Sequence, residues 1–451
     1  MSLTTSANHT PSSTQTPDAG LTASRQPTGV PTVAGRVGDI RASARRALSG
    51  TPGQLRILTL AAVAVSLIFA VGAFSTFGSA DDALRRAGEN AAQLVRIQAI
   101  HTNLVRADAD ATNAFLVGGL EPAGQRTSYT SSMTQASKLI ALAARAQPAD
   151  GAALGALNNT VLTYGGLIEQ ARASNRQALP VGAQYLRVAS SGLRSDALPI
   201  LDALVKANDT RVIAEFDSAK GALATFLVLG VLALVVLTGG MIWLSRRTHR
   251  FINLPLAGAT LAILLTLVIG SISLASVGSR VGSVRDSSYA ATLATAKARI
   301  AAFDAKSNES LTLIARGSGA KFEKAWLGSS GAVATQSATS ADLNSDAASM
   351  GGLWKAYVGI HQKIREADDG GGWEAAVRQA TGSGPTSSNA TFDAFDAASG
   401  SALTSSSRIA IDSLDTPRTW LPFAAWLSLL IGIAAAVSAW WGVSLRLEEY
   451  R

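Results

Sequence analysis

GALATFLVLGVLALVVLTGGMIWLSRRTHRFINLPLAGATLAILLTLVIGSISLASV, residues 221–277, is two apolar runs joined by Ser245-Arg246-Arg247-Thr248-His249-Arg250. The runs, 221–244 and 251–277, each exceed the roughly 20 apolar residues a helix needs to cross a hydrocarbon layer about 30 Å thick. Both are expected to span a membrane. Their connector carries three arginines and no acid, and short cytoplasmic loops hold an excess of Lys and Arg. The turn at 245–250 is therefore expected inside the cell, where Arg246, Arg247, His249 and Arg250 form a candidate contact for a cytoplasmic partner. A turn held in place by its charge alone accounts for the same residues.

Working outward, two more apolar stretches complete a set of four spans, at 55–77 and 420–445. The last has Trp420 and Trp426 near one end and Trp440-Trp441 at the other, the interfacial positions that indole favours. An extracytoplasmic limb is expected on each side of the hairpin, 78–220 and 278–419. Residues 1–54 lie inside: a Thr-, Ser- and Pro-rich tail too poor in large apolar side chains to fold, then a basic stretch with Arg36, Arg41, Arg45 and Arg46 suited to the anionic inner leaflet. Residues 446–451 form a short cytoplasmic tail. The fold class is all-α, an integral membrane protein with four transmembrane helices and two extracytoplasmic helical bundles.

Composition agrees. At 451 residues, with 47% hydrophobic and 16% charged, the chain is poorer in charge than soluble proteins, which average about 25%. The net charge of +8 gathers beside apolar segments, which makes membrane lipid the partner of the cations and argues against nucleic acid. Cysteine is absent, so disulfides, thiolate catalysis and Cys-ligated metals are all excluded. The four histidines, His9, His101, His249 and His361, are scattered, and no pair has metal-ligand spacing. Gly317-Ser318-Gly319-Ala320-Lys321 lacks the spacing of a phosphate loop and reads as a helix terminator. No catalytic residue, cofactor site or metal site is assigned, and the chain reads as a non-enzyme.

In the first limb, Leu94, Ile97, Ile100, Leu104, Phe115 and Leu116 follow helical spacing to a break at Gly118-Gly119. Helices follow at about 123–146 and 151–177, and a fourth after Pro180 continues toward the membrane as one rod with the second span. The second limb starts with a helix at about 281–316, then shorter ones around 321–328 and 353–367, and a last at about 389–414.

The limbs are similar in length and in local order. Thr112-Asn113 corresponds to Ser307-Asn308, and Tyr164-x-Gly166-Leu167 with Arg172 to Tyr357-x-Gly359-Ile360 with Arg365. An internal duplication is expected. Thr112, Asn113, Ser307 and Asn308 are polar residues on apolar helix faces, where a buried amide or hydroxyl needs a partner. They are candidates for an inter-helix hydrogen bond, for a switch between two packings, or for a ligand contact. Tyr164 and Tyr357 read as core anchors or ligand contacts; Arg106, Arg172, Arg187 and Arg365 read as carboxylate binders or as solvated helix cations.

Several stretches carry a resemblance. Residues 107–119 (ADADATNAFLVGG), 164–174 (YGGLIEQARAS), 182–187 (GAQYLR) and 304–311 (DAKSNESL) are similar to the GlnX family of actinobacterial four-span membrane signalling proteins. The resemblance implies a periplasmic amino-acid-binding lipoprotein as outer partner and a cytoplasmic Ser/Thr kinase as inner partner, the cue being amino acid availability, Asp or Glu. Two other readings stand beside it: a cell-envelope scaffold, and a direct small-molecule sensor at a bundle interface, which would make the protein a homo-oligomer.

Overall fold

The computed structural model describes residues 51–248 and 253–448. The tail and basic segment expected up to residue 50 lie outside the described residues, as do His249, Arg250 and residues 449–451; of Arg247 only the backbone is described.

Among the described residues all regular structure is helical. Helix α1 runs unbroken from Thr51 to Val117, so the first candidate span and the lead helix of the first limb are one helix. It stops where Gly118 and Gly119 take φ of 71° and 61°, a left-handed conformation open to glycine without a Cβ penalty. Helices α2 (Ala123–Ala146) and α3 (Gly151–Arg176) follow, joined by a single 3-10 turn at Pro148–Asp150. Helix α4 (Val181–Gly192) passes through a π-helical turn, Leu193–Ala197, into α5 (Leu198–Thr248). The rod expected from limb to span is present.

The second half is helical as well, with its π-helical turn in the lead helix rather than in the return helix. Helix α6 (Leu254–Val284) leads through a π-helical turn, Arg285–Tyr289, into α7 (Ala290–Ile314). Helix α8 (Ala320–Leu343), a 3-10 turn at Ser345–Ala347 and α9 (Met350–Asp369) come next. Helix α10 (Trp373–Thr381) precedes α11 (Ser388–Arg418) and α12 (Leu421–Glu448). Two features differ from the sequence expectation. Helix α8 extends to Leu343, past the expected end at 328, and α10 was not foreseen. The extra length of α8 is mostly Ala, Ser, Thr and Gly, whose weak apolar period hides a helix that buries only Trp326, Val333, Ser337 and Ser340.

Four helical stretches are long and apolar enough to cross a membrane, within 53–117, 181–246, 254–314 and 388–445. Side chains such as Leu60, Val228, Ile272, Phe423 and Trp440 stay exposed on their outer faces, compatible with a multi-pass membrane protein. Glycine sets the inner contacts. A Cβ on Gly432 would lie 2.4 Å from Ala70 Cβ and 2.8 Å from its Cα, so α12 and α1 touch backbone to backbone. Gly230 receives Leu267 and Gly270 receives Phe226, which seats α5 against α6. Asn253 caps α6 and donates to the Gly442 carbonyl at 2.6 Å, tying α6 to α12. Small residues at helix contacts and polar groups as ties are how apolar bundles associate where lipid removes the hydrophobic drive.

Beyond the apolar end, the two limbs share their cores. Val105 and Ala109 of α1 pack with Phe303, Trp326, Trp354, Tyr357 and Phe395 of the second limb, and Leu116 packs with Leu313, Ile360 and Ile364. Helix α7 lies between the limbs and is buried on nearly every face, including the consecutive Lys306, Ser307, Asn308, Glu309 and Ser310. A helix this polar can be buried all round only if its polar groups find partners.

Candidate functional site

Those partners define two buried clusters. The first joins the limbs. Asp108 of α1, 1% exposed, accepts from Tyr164 Oη of α3 at 3.3 Å and from Ser190 Oγ of α4 at 2.6 Å. Its other oxygen accepts from Arg194 Nη1 at 3.1 Å and from Ser307 Oγ of the second limb at 2.6 Å. Arg194 sits on the π-helical turn. It reaches on to Asp304 (Nε to Oδ1, 2.9 Å) and to Ser307 Oγ (3.1 Å). Asp304 in turn accepts from Asn308 at 3.0 Å and from Ser329 of α8 at 2.6 Å. Burial disfavours the guanidinium charge, yet Asp108 and Asp304 outweigh it and raise Arg194 above its ordinary value. Burial and the Asp108 charge hold the Tyr164 hydroxyl far above its usual range, so it donates at any physiological pH.

The second cluster lies within the second limb. Glu309 of α7, 1% exposed, accepts from Lys306 Nζ (2.8 Å), Ser388 Oγ (2.6 Å), Tyr357 Oη (3.1 Å) and His361 Nδ1 (3.0 Å). Burial alone would raise its carboxyl; Lys306 and His361 overcome that and hold it down at about 2. His361 lies flat on Trp326, ring centroids 3.6 Å apart, with Nε2 3.3 Å from Glu323. Burial works against its protonation, but Glu309 and Glu323 raise it on balance. Both clusters thus centre on a buried carboxylate held by a tyrosine from the limb's third helix and a serine farther along the chain, Tyr164 and Ser190 in one, Tyr357 and Ser388 in the other.

The residues singled out in the sequence fall into three groups. Tyr164, Tyr357 and Ser307 are in the clusters, and Asn308 supports Asp304. Asn113 is buried but belongs elsewhere: it receives Gln125 Nε2 at 2.5 Å and donates to the Ala380 carbonyl at 3.4 Å. Thr112 bonds back to the Asp108 carbonyl of its own helix. Arg172 is engaged within its limb, bonded to Glu121 through two nitrogens at 3.0 Å and lying 4.0 Å over the Tyr129 ring; it lines a cavity of about 320 Å³. Arg365 pairs with Asp368 at 2.6 Å and with Glu323. Arg187 donates to Gln184, while Arg106 pairs with Asp396 across the limbs. Arg246 is exposed at the end of α5. The acids Asp108, Asp304 and Glu309 were missed, although ADADATN and DAKSNES place carboxylates inside alanine-rich helix where few are expected. Among the described residues no three His, Asp or Glu side chains gather in a metal-holding arrangement.

The first limb, including Asp108, Tyr164, Ser190 and Arg194, falls within a recognisable unit. Residues 83–217 match the family model of the actinobacterial sensor domain. The match supports a sensing or signalling role and takes in one limb; the second limb lies outside the matched residues. No curated protein and no solved structure matches the chain.

Proposed function

We propose that the protein is a non-enzymatic membrane sensor that crosses the bilayer four times, with both termini and the 245–250 turn in the cytoplasm. An extracytoplasmic cue shifts one limb against the other, and the long helices carry that shift inward. The observation that carries this reading is the seam: Asp108 and Arg194 of one limb share partners with Ser307 and Asp304 of the other, on helices that continue into the apolar bundle. A switch needs two packings separated by a few kcal/mol and a ligand that prefers one. Charged groups confined to one interface supply such alternatives, because their pairing is discrete.

The resemblance to the GlnX family supplies the finer reading. The cue is amino acid availability, Asp or Glu, delivered by a periplasmic binding lipoprotein, and the receiver is a cytoplasmic Ser/Thr kinase that meets the turn containing Arg246 and Arg247. The same reading takes the limbs as copies of one unit, supported by their similar length and local sequence order.

The test uses the full chain in lipid nanodiscs, mixed with the binding lipoprotein with and without its amino acid. Ligand-dependent association is expected. Equal association in both conditions would favour an envelope scaffold, and none at all would remove the lipoprotein as partner. Reporters fused after Gln54 and Arg250 should read as cytoplasmic, and those after Ala123 and Gly382 as external.

A further inference from the structure

On another side of α1, the seam opens into a cavity of about 330 Å³ walled by both limbs, at the small end of the range for ligand pockets. Its polar wall is unevenly used. Asp396 is taken up by Arg106 and by Arg299, whose Nη2 lies 2.6 Å away. Lys306 is turned to Glu309 and Ser388. The cations on this wall are therefore spent on acids of the protein itself.

Three acceptors are left over. Asp110 of α1 receives a single bond, from Ser128 at 2.7 Å, and has no ion-pair partner among the described residues. Asp393 of α11, at the mouth, has neither. The third acceptor follows from amide orientation. The Ala380 carbonyl can only accept, so Asn113 presents Nδ2 to it and Oδ1 to Gln125. Gln125 must then offer Nε2 to Asn113, which leaves its own Oε1 buried without a donor. An orphaned buried acceptor costs about 1–3 kcal/mol unless something donates to it. Burial, with Asp393 nearby, also lifts the Asp110 carboxyl to about 6, against Ser128 and Arg106, which pull it down. Beside these acceptors the wall is apolar, with Ala109 and the edge-packed pair Phe303 and Phe392 at 5.0 Å.

We infer that this cavity binds a small organic ammonium ion, its N–H groups donating to Asp110, Asp393 and Gln125 and its alkyl part resting against Phe392. One –NH3+ supplies the three donors that the wall lacks and the charge that two unpaired carboxylates call for. A lipid headgroup is not the source: Asp110 lies far along α1 from Phe77, on the order of 50 Å at 1.5 Å per residue. Because Asp110 belongs to one limb and Asp393 to the other, the ligand would bridge them. The binding claim stands on the chemistry of the cavity and is independent of any lipoprotein or kinase.

Calorimetry on the full chain in nanodiscs, with propylammonium chloride as probe, tests it. Saturable binding is expected, at least tenfold tighter than that of tetramethylammonium, which has the charge but no N–H. D110N and D393N should each weaken it at least tenfold. Asp393 is exposed, so D393N keeps the fold, and an unchanged melting temperature confirms that its loss of affinity is local. Absence of saturable propylammonium binding, equal binding of tetramethylammonium, or wild-type affinity in D393N would each overturn the proposal. Binding of propionate in place of propylammonium would overturn it too, by assigning the cavity to its cations.

Discussion

Asp108→Asn is nearly isosteric, yet it converts a site that only accepts into one that must also donate. Four groups point at the carboxylate, from Tyr164, Ser190, Arg194 and Ser307. An amide has one oxygen for them, and its NH2 would face hydroxyls or a guanidinium that are themselves donors. Removing one partner of a buried ion pair costs roughly 3–5 kcal/mol. Arg194 keeps Asp304 at 2.9 Å and its side chain is 27% exposed, which places the expected loss lower, at about 2–4 kcal/mol. Ser307→Ala removes only the hydroxyl from the opposite limb, worth about 1.5–3 kcal/mol for a hydrogen bond to a charged group.

The double mutant then separates a seam from two independent defects. If Ser307 acts through Asp108, its removal costs little once Asp108 is gone, and the coupling energy should be about 1–3 kcal/mol. Equilibrium unfolding of the full chain in detergent micelles, for wild type, both single variants and the double variant, measures the cycle. Additivity within about 0.5 kcal/mol would refute the idea that Asp108 ties the limbs together.

Two further predictions concern other parts of the molecule. Gly432→Ala places a methyl against the backbone of Ala70, whereas Gly240→Ala meets only the tip of Leu58 at 2.6 Å; a thermal-shift comparison should show the first losing about 1–3 kcal/mol and the second less than 1, and equal losses would contradict the backbone contact between α12 and α1. His101 is 5% exposed, and burial, only partly offset by Asp202 and Asp304, lowers its pKa to about 4. Between pH 6.5 and about 4 the unfolded chain therefore binds a proton that the folded chain refuses, and stability falls with pH over that window. His101→Phe should remove this contribution, gaining roughly 2 kcal/mol on wild type at pH 5 relative to pH 7.5; a pH-independent difference would refute it.

Much of the architecture was legible because apolar length and helical period are one-dimensional signals. Four stretches of sufficient length, the Gly118-Gly119 break and the α4–α5 rod all follow from order along the chain. The clusters were not legible, and the reason is specific. Asn113 and Asn308 stand out because amides look misplaced among Ala and Leu, while nothing in the local sequence separates Asp108, Asp304 and Glu309 from the solvated helix charges that most carboxylates are. Their burial depends on where α7 sits, and no periodicity reports that a helix is enclosed on every side by other helices. Arg194 was hidden for the same cause: it lies on a π-helical turn, whose extra residue rotates the following side chains out of the 3.6-residue register used to find faces.

That turn bears on how a signal could travel. Arg194 is the group of the return helix that reaches both Asp108 and Asp304, and it stands at the one place in that helix where the hydrogen-bond ladder is irregular. Moving it between the two acids requires a change of local winding rather than bending of a regular helix, and a π-helical turn can absorb such a change by passing its extra residue along. The second such turn, Arg285–Tyr289, sits nearer the apolar end, and Tyr289 donates from it to Asp209 of α5 at 2.8 Å. Each irregular turn therefore places a side chain on the opposite limb's helix, one at the seam and one near the candidate spans. A shift of α5 relative to α7 would have to pass both, which makes these two turns, rather than the straight helices between them, the places where two packings of the limbs would differ.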